Sequence, residues 1–284
     1  MNLSDIGKAA AKVVFPNFRT RLMARRVLYY PVDTIDYAIG HRSRLTAPRG
    51  LWFVGGESNF QTINEEFLGY FQTLGGLKPD HRVLDVGCGV GVLASRLTSF
   101  MSPQGSYLGF DIVEPGIKWC RKHITTRFPN FQFSYADLYH EQYNPRGSLK
   151  LLDWSFPVQD GEFDFVFLKS VFTHMVPEHI RHYLAEIRRA LKMGGRCFAT
   201  IFLLNPQSTH LIREGVSSLD IRHSVGDYYV LNPHMPELAV GIPEAEMVRW
   251  CEKLGLNIVD RRPGSWCGRA EYSSYQDILV LSPG

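Results

Sequence analysis

Between residues 82 and 204 the sequence alternates short apolar runs with segments of helical periodicity. Runs such as "VLDV", "FVFL" and "CFATIFLL" are apolar without a break, as expected of strands that are covered on both faces. Strands that alternate with helices in this way predict a parallel sheet with helices on both of its faces. The predicted strands are 82–86, 106–110, 131–135, 164–168 and 196–204, and the predicted helices are 90–101, 115–127 and 177–193.

Two insertions interrupt this alternation. Residues 138–163 are polar, and residues 205–242 are rich in Pro, His, Ser and Asn and too long for an ordinary connection. We expect the second insertion to form a lid between the fifth strand and a last helix at 243–254. Two further strands, 256–261 and 275–281, are expected to close the sheet as a hairpin.

The N-terminal part of the chain has a different character. Residues 1–60 are predicted to form a helical arm that ends in "LWFVGGESNF", either a flap over a bound ligand or a segment that simply packs on the main domain, residues 61–284. Residues 1–30 contain six Lys and Arg against the single acid Asp5, with apolar residues between them. Such a segment can lie on a membrane surface, or it can pack on the main domain with its charges solvated.

Composition bounds the function classes. A formal net charge of +3 is too small to predict a nucleic-acid partner. The five cysteines are scattered and lack CxxC spacing, which favours reduced thiols in a cytoplasmic protein over disulfides or a zinc site. No apolar run is long enough to span a bilayer, so we expect a cytoplasmic protein that at most lies peripherally on the inner membrane surface.

The first strand runs directly into a glycine-rich turn, Gly87-Cys88-Gly89-Val90-Gly91. The P-loop string GxxxxGK[ST] does not occur in the sequence. The dinucleotide fingerprint is GxGxxG, whereas here the third glycine comes one residue early. This spacing lets a ligand lie against the backbone but does not suit a helix N-terminus that holds a pyrophosphate.

The string "VLDVGCGVG" resembles motif I of class I S-adenosylmethionine-dependent methyltransferases, in particular the type 11/25 domains that act on small molecules or glycans. Asp111 ends the second strand, where the family's acid binds the ribose diol, and Asp137 follows the third strand, where an acid meets the adenine amine. "FDFVFLKSVFTHM" resembles the family's fourth strand and loop, and "EIRRALKMGGRCFATIF" resembles its helix-to-strand turn, with Met193 in place of the usual proline. The resemblance covers residues 65–204 well and the last strands loosely.

The resemblance implies a Rossmann-like α/β fold of seven strands in the order 3-2-1-4-5-7-6, with strand 7 antiparallel, and S-adenosylmethionine as the cofactor. A carboxylate at Asp111 can accept both ribose hydroxyls. Each acid also has a local interpretation as a turn or cap residue, but the order of the motifs favours binding. The implied cofactor contacts are Asp85, Gly87, Cys88, Gly89, Gly91, Asp111, Ile112, Asp137, Leu138, Lys169 and Ser170.

His174, in the loop after the fourth strand, is the candidate general base. Loops at the carboxyl ends of parallel strands open on the ligand crevice, and histidine suits proton abstraction near neutral pH. The alternative is that His174 caps or packs under the next helix. His179 and His182 are three residues apart, but no third ligand suggests itself and no metal is predicted.

The lid and the last loop supply candidate contacts to the methyl acceptor. Tyr228, Tyr229 and His234 can wall off a small molecule, while Trp266 can stack on a ring and Arg269 can meet an acid. A buried tryptophan and a surface arginine are the alternatives for the last two.

These features predict methyl transfer to a hydroxyl of a small molecule, a sugar or a glycolipid, with a histidine base. The fourth strand is followed by Lys169-Ser170-Val171-Phe172 rather than the Asn-Pro-Pro-aromatic string of amino-methylating enzymes. The alternatives are an NAD-dependent oxidoreductase, a non-catalytic adenosylmethionine-binding subunit, and an enzyme that acts on a lipid-linked acceptor at a membrane.

Overall fold

The computed structural model of the protein describes residues 18–52 and 60–284. Within these ranges the helices are α1 (Phe18–Ala38), α2 (Phe60–Thr73), α3 (Val92–Leu97), α4 (Glu114–Cys120), α5 (Pro177–Ala190), α6 (Pro206–Arg213) and α7 (Glu244–Lys253). The strands are β1 (Arg82–Val86), β2 (Ser106–Asp111), β3 (Phe131–Tyr135), β4 (Phe163–Leu168), β5 (Leu191–Leu204), β6 (His223–Val225), β7 (Tyr228–Val230), β8 (Val240–Pro243), β9 (Leu256–Arg262) and β10 (Asp277–Pro283).

The chain divides into two compact units. The first contains the residues up to Leu68 together with Cys88–Phe100 and Tyr107–Lys150. In it β2 and β3 run parallel, and the rings of Tyr107 and Phe131 stack with their centroids 5.0 Å apart. This pairing of the second and third strands is as predicted.

The second unit contains Gly69–Gly87, Met101–Ser106 and Leu151–Gly284. Here β4 lies between β1 and β5 and is parallel to both, while β10 is antiparallel to β5 and to β9. The sequence of neighbours β1, β4, β5, β10 and β9 is the 1-4-5-7-6 portion of the predicted order, with the antiparallel strand in its expected place. Strands β4 and β10 are buried almost throughout, which explains their uninterrupted apolar sequences.

Several predicted helix bounds are wrong by a few residues. The helix predicted at 90–101 begins after Gly91, because Gly91 adopts a left-handed conformation (φ 70°) that an α-helix cannot contain. The helix predicted at 115–127 is α4 followed by a π-helical turn over Arg121–Thr125. The helix predicted to reach residue 193 ends at Ala190, because Leu191 already pairs with Phe163 as the first residue of β5.

The second insertion has its own secondary structure. It contains α6, the antiparallel hairpin β6–β7, and β8, which pairs with β7 and runs parallel to the end of β5. Asn205 caps α6 and forms a reciprocal capping box with Ser208. The first insertion is less regular, with a 3-10 turn at Leu151–Asp153 and isolated bridges.

Helix α1, Phe18–Ala38, lies within the range predicted as the arm. Residues 1–17 and most of the predicted flap, residues 53–59, lie outside the described residues, and the domain boundary at residue 60 remains a prediction. In the described ranges no helix combines the length and the apolar character needed to cross a bilayer.

Candidate active site

The glycine turn after β1 depends on backbone conformations that favour glycine. Gly87, Gly89 and Gly91 have φ values of 84°, 59° and 70°. Helix α4 approaches this turn so closely that a Cβ on Gly116 would lie 2.7 Å from the carbonyl oxygen of Gly89. Glycine is therefore required both in the turn and on the helix that supports it.

Three N–H groups of the turn, those of Cys88, Gly89 and Gly91, are engaged within the protein. Cys88 donates to the carbonyl of Phe110 (3.0 Å), Gly91 donates to the carbonyl of Cys88 (2.9 Å), and Gly89 donates to Asp111 Oδ2 (2.8 Å). A dinucleotide site instead turns such N–H groups towards a pyrophosphate. The turn therefore suits a ligand that carries no phosphate.

Asp111 is the anchor of this turn. Its Oδ2 accepts the N–H of Gly89, and its Oδ1 accepts the N–H of Val113 at 2.8 Å. Burial raises the pKa of Asp111, and the N–H donors of Val113, Gly89 and Ile112 oppose that shift. Each carboxylate oxygen has a further lone pair, so the local role and the predicted ribose contact are compatible.

Asp137 lies in a second polar cluster of the same unit. The hydroxyls of Ser148 and Tyr135 donate to its two oxygens at 2.6 and 2.7 Å, and these bonds hold the pKa of Asp137 below its ordinary value. Asn144, which is buried, donates its amide to both the Tyr135 hydroxyl and the Leu138 carbonyl. Asp137 is thus held ionised and oriented, as a contact to an adenine amine requires.

Ser170, in the second unit, has an unusual backbone. It is the one non-glycine residue with positive φ (58°) among the described residues, a conformation that costs on the order of 1–3 kcal/mol. Its N–H donates to Thr200 Oγ1 (2.8 Å), and its hydroxyl donates to Gln276 Oε1 (3.0 Å). Strained residues that their neighbours hold in place are typical of ligand sites.

His174 ends a 3-10 turn, Phe172–His174, and its ring is half-buried. Its Nδ1 lies 2.9 Å from the backbone carbonyl of Glu237, in the second insertion. A carbonyl only accepts hydrogen bonds, so Nδ1 carries a proton and, in the neutral ring, Nε2 keeps its lone pair. The contact gives His174 the tautomer that a base acting through Nε2 needs.

The lid residues predicted to wall off an acceptor differ in exposure. Tyr228 and Tyr229 are half-buried, whereas His234 is exposed. Burial raises the pKa of the Tyr228 hydroxyl, and the nearby charges of Asp227, Glu178 and Glu237 act in the same direction. The two tyrosines therefore remain candidates for acceptor contacts, and the exposed His234 gains no support.

Trp266 and Arg269 belong to a buried network around Asp277. Trp266 is fully buried, and its Nε1 donates to Asp277 Oδ2 at 2.7 Å. Arg269 is also buried and donates to Asp277 Oδ1 (2.8 Å), the Gly264 carbonyl (2.9 Å) and Gln207 Oε1 (3.1 Å). The structure thus supports the alternative that Trp266 is a buried core residue. Arg269 is not a surface arginine, because it is buried and paired with Asp277.

The remaining predicted cofactor residues differ in burial, and their contact with the cofactor stays a prediction. Asp85, Cys88 and Leu138 are buried, and Ile112 and Lys169 are half-buried. A Cβ on Gly87 would lie 2.6 Å from Val171 Cγ2, so the loop after β4 packs directly on this glycine.

Sequence reasoning missed the residues that support the site. The carbonyl of Glu237, the hydroxyl of Thr200 and the side chain of Gln276 lie 63, 30 and 106 residues from the groups that they hold. Asp277 accepts the N–H of Leu203, which is 74 residues away. A backbone carbonyl leaves no signal in the sequence. Only Asp277, an acid at the start of an apolar strand, carried a local sign of a buried role.

The comparisons with known proteins agree on the class. Residues 83–195 match the family model described as a methyltransferase domain. Residues 83–195 are thus similar to a methyltransferase domain, and S-adenosylmethionine is the cofactor that this similarity implies.

Among curated proteins, the chain is 28% identical over 240 residues to the sterol 24-C-methyltransferase of Schizosaccharomyces pombe, a match that covers 82% of this chain and 53% of the relative. The chain thus spans about half the length of that relative.

Two solved structures show the same fold. The PH0226 protein from Pyrococcus horikoshii OT3 has a TM-score of 0.55 at 19% identity, and the match covers 81% of this chain and 93% of the other. An S-adenosylmethionine-dependent methyltransferase from Clostridium acetobutylicum ATCC 824 has a TM-score of 0.52 at 12% identity, and the match covers 80% of this chain and 93% of the other.

Proposed function

We propose that the protein methylates a hydroxyl group of a small molecule, a sugar or a glycolipid, with His174 as the general base. The observation that carries this proposal is the hydrogen bond between Nδ1 of His174 and the Glu237 carbonyl. It leaves the lone pair of Nε2 as the proton acceptor, and a hydroxyl acceptor must lose its proton when it is methylated.

The conformation of the glycine turn supports our proposal that the cofactor binds there. The glycine turn has no side chain at Gly89 and Gly91, and its N–H groups at 88, 89 and 91 are already engaged, which suits a ligand without phosphate. We propose that Asp111 accepts the ribose hydroxyls and that Asp137 accepts the adenine amine. When bound, S-adenosylmethionine supplies a methyl group on a sulfonium sulfur.

In the proposed methyl transfer, the residues of the chain have three roles. The acceptor oxygen is held in line with the transferable methyl group, and positioning of this kind contributes up to roughly 7–11 kcal/mol to lowering the barrier. Nε2 of His174 takes the hydroxyl proton as the new C–O bond forms and the C–S bond breaks, leaving the electron pair on sulfur. Tyr228 and Tyr229 keep water away from the acceptor.

A second candidate function is methylation of a carbon atom in a sterol-like lipid. The observation that favours it is the match to a sterol 24-C-methyltransferase along most of this chain. There the electron pair of a carbon–carbon double bond forms the bond to the methyl group, and the resulting cation loses a proton to a base. The same Nε2 of His174 would accept that proton.

Product analysis distinguishes the two candidates. The protein is incubated with S-adenosylmethionine labelled with carbon-13 in its methyl group and with separate pools of phenols, sugars and sterols. Carbon-13 NMR then reports whether the label is bonded to oxygen or to carbon. We expect an O-methyl signal from a phenol or sugar pool, whereas a C-methyl signal from the sterol pool alone would replace the first candidate by the second.

A further inference from the structure

Helix α1 exposes an unusual amount of apolar surface. Val27 and Leu28 are exposed by 78% and 70%, and Tyr30 and Ile35 by 71% and 59%. The opposite side of the helix, with Leu22 and Asp33, is buried. The helix is therefore packed along one side, while much of its remaining surface consists of large apolar side chains in water.

These side chains form two stripes. Residues three and four apart are neighbours on a helix, so spacing alone defines the stripes. One stripe is Met23, Val27 and Tyr30, and the other is Leu28, Val32 and Ile35, continued by Ile39 just after the helix. We name both stripes together the outer face of α1. Soluble proteins rarely leave a continuous apolar surface of this kind without a binding partner.

The charges of α1 identify the kind of partner. Its only acids are Asp33 and Asp36, and both contact Nη1 of Arg49, at 2.9 and 2.7 Å. Arg21 and Arg25 lie on the same helix as the outer face, and Arg25 is exposed. The outer face thus combines apolar side chains with positive charge, while the two acids of the helix both pair with Arg49, which offsets one of their two charges.

We propose that the outer face of α1 docks on the anionic surface of a lipid bilayer. Apolar side chains enter the boundary between headgroups and acyl chains, and the arginines interact with anionic headgroups. Each basic residue near such a surface adds to the attraction, and salt screens that attraction. The helix lies on the membrane and does not cross it.

This proposal differs from an interface between protein chains. The outer face is a convex helical surface of aliphatic residues with arginines beside it, whereas contact between two copies of the chain would place like charges on facing helices. It also does not depend on the nature of the methyl acceptor, because it rests on exposure and charge alone.

Vesicle flotation tests the proposal on the full chain. Vesicles of phosphatidylcholine alone are compared with vesicles in which about one third of the lipid is phosphatidylglycerol, at low and at high salt. We expect the protein to float with the anionic vesicles at low salt, to float at least several-fold less at high salt, and to stay unbound with the neutral vesicles. Protein that floats with neither type of vesicle overturns the proposal.

Two sets of variants locate the contact. The triple variant Val27→Ser, Leu28→Ser and Ile35→Ser removes apolar surface from the outer face, and we expect it to lose flotation. The matched control Met193→Ser removes a side chain that is 70% exposed on the β5 turn, and it should float like the wild type. Retained binding in the triple variant, or equal loss in the control, contradicts the proposal.

Binding of S-adenosylhomocysteine shows whether each variant is folded. This measurement is independent of flotation, so a loss of flotation alone is not a loss of folding. Sedimentation equilibrium then tests whether the protein forms a dimer. A dimer in the wild type that the triple variant abolishes would assign the outer face to a second copy of the chain instead.

Discussion

Asp111 has a structural role in the turn beside the ribose-binding role that we propose for it. It holds the glycine turn through Gly89 and the start of the next helix through Val113, which fixes both of its oxygens. A ribose diol that approaches the turn therefore meets an acceptor that is already oriented, so little side-chain freedom is lost on binding.

Asp111→Asn tests that role. The amide is nearly the same size as the carboxylate but carries no charge, and it has one acceptor oxygen where the carboxylate has two. We expect the Kd for S-adenosylhomocysteine to rise about ten- to a hundredfold, as the loss of one or two charge-assisted hydrogen bonds implies. Calorimetry measures it, with Asp153→Asn as the control at an acid in the 3-10 turn of the first insertion. Unchanged affinity in Asp111→Asn would remove Asp111 from the binding site.

His174→Gln tests the base. Glutamine can still donate to the Glu237 carbonyl but cannot take up a proton near neutral pH. We expect turnover to fall by roughly 10²–10⁴-fold, with the affinity for S-adenosylhomocysteine unchanged. His234→Gln, at an exposed histidine of the lid, is the matched control and should keep its turnover. Full activity in His174→Gln would place the base elsewhere.

At the scale of elements, the loop between β9 and β10 is organised by Asp277. This carboxylate accepts the N–H groups of Leu203 and Gly264, the indole of Trp266 and the guanidinium of Arg269. The residue before it, Gln276, contacts the strained Ser170. Through these bonds the end of β5, the last loop and the loop after β4 form one network.

Removing the carboxylate should therefore destabilise the whole second unit. Asp277→Ala leaves the charge of Arg269 buried and unpaired, which typically costs about 3–5 kcal/mol. Urea unfolding measures the effect. The exposed pair of Asp220 and Arg222 provides the control, because Asp220→Ala should change the free energy of unfolding by less than about 1 kcal/mol. A cost for Asp277→Ala as small as that of Asp220→Ala would show that the network is not structurally important.

Elements with a strong local signal could be predicted from the sequence. The bounds of β1 and β3 agree with the structure because apolar runs end there at turn residues. The end of α5 could not be predicted, because Leu191 continues the helical periodicity and only its pairing with Phe163 assigns it to a strand. The hairpin β6–β7 could not be predicted either, because strands of three residues are too short to give a clear sequence pattern.

The candidate site follows the same division. The glycine turn, Asp111, Asp137 and His174 became candidates because each follows a predicted strand, and the first three also match motifs of the resembled family; their roles stay predictions. The burial of Trp266 and Arg269 could not, because their partner Asp277 comes into contact only through the antiparallel pairing of β10 with β5 and β9.

At the scale of the whole molecule, ionised buried carboxylates make stability depend on pH. Burial of Glu186 disfavours its charge, but hydrogen bonds from Arg189 and from the N–H of Phe156 outweigh this effect and lower its pKa. A carboxyl whose pKa is lower in the folded state stabilises the protein above its unfolded pKa of about 4.3, and this contribution is lost as the pH falls towards the folded value.

Glu186→Gln tests this linkage. At pH 7 we expect the variant to be less stable than the wild type by about 1.5–3 kcal/mol, the range for hydrogen bonds to charged groups. The difference should shrink below pH of about 4, where the wild-type carboxyl takes up a proton. Asp160→Asn removes an exposed partner of the same Arg189 and should cost less than about 1 kcal/mol. A Glu186→Gln difference that stays constant from pH 7 to pH 3 would contradict the account.

The most direct test of the whole account is calorimetric titration of the protein with S-adenosylmethionine, S-adenosylhomocysteine and NAD. The glycine turn has its N–H groups engaged within the protein and Asp111 beside it, so we expect the first two ligands to bind with micromolar affinity and NAD not to bind. Binding of NAD without binding of S-adenosylhomocysteine would contradict the assignment of the site and return the glycine turn to the dinucleotide-binding class.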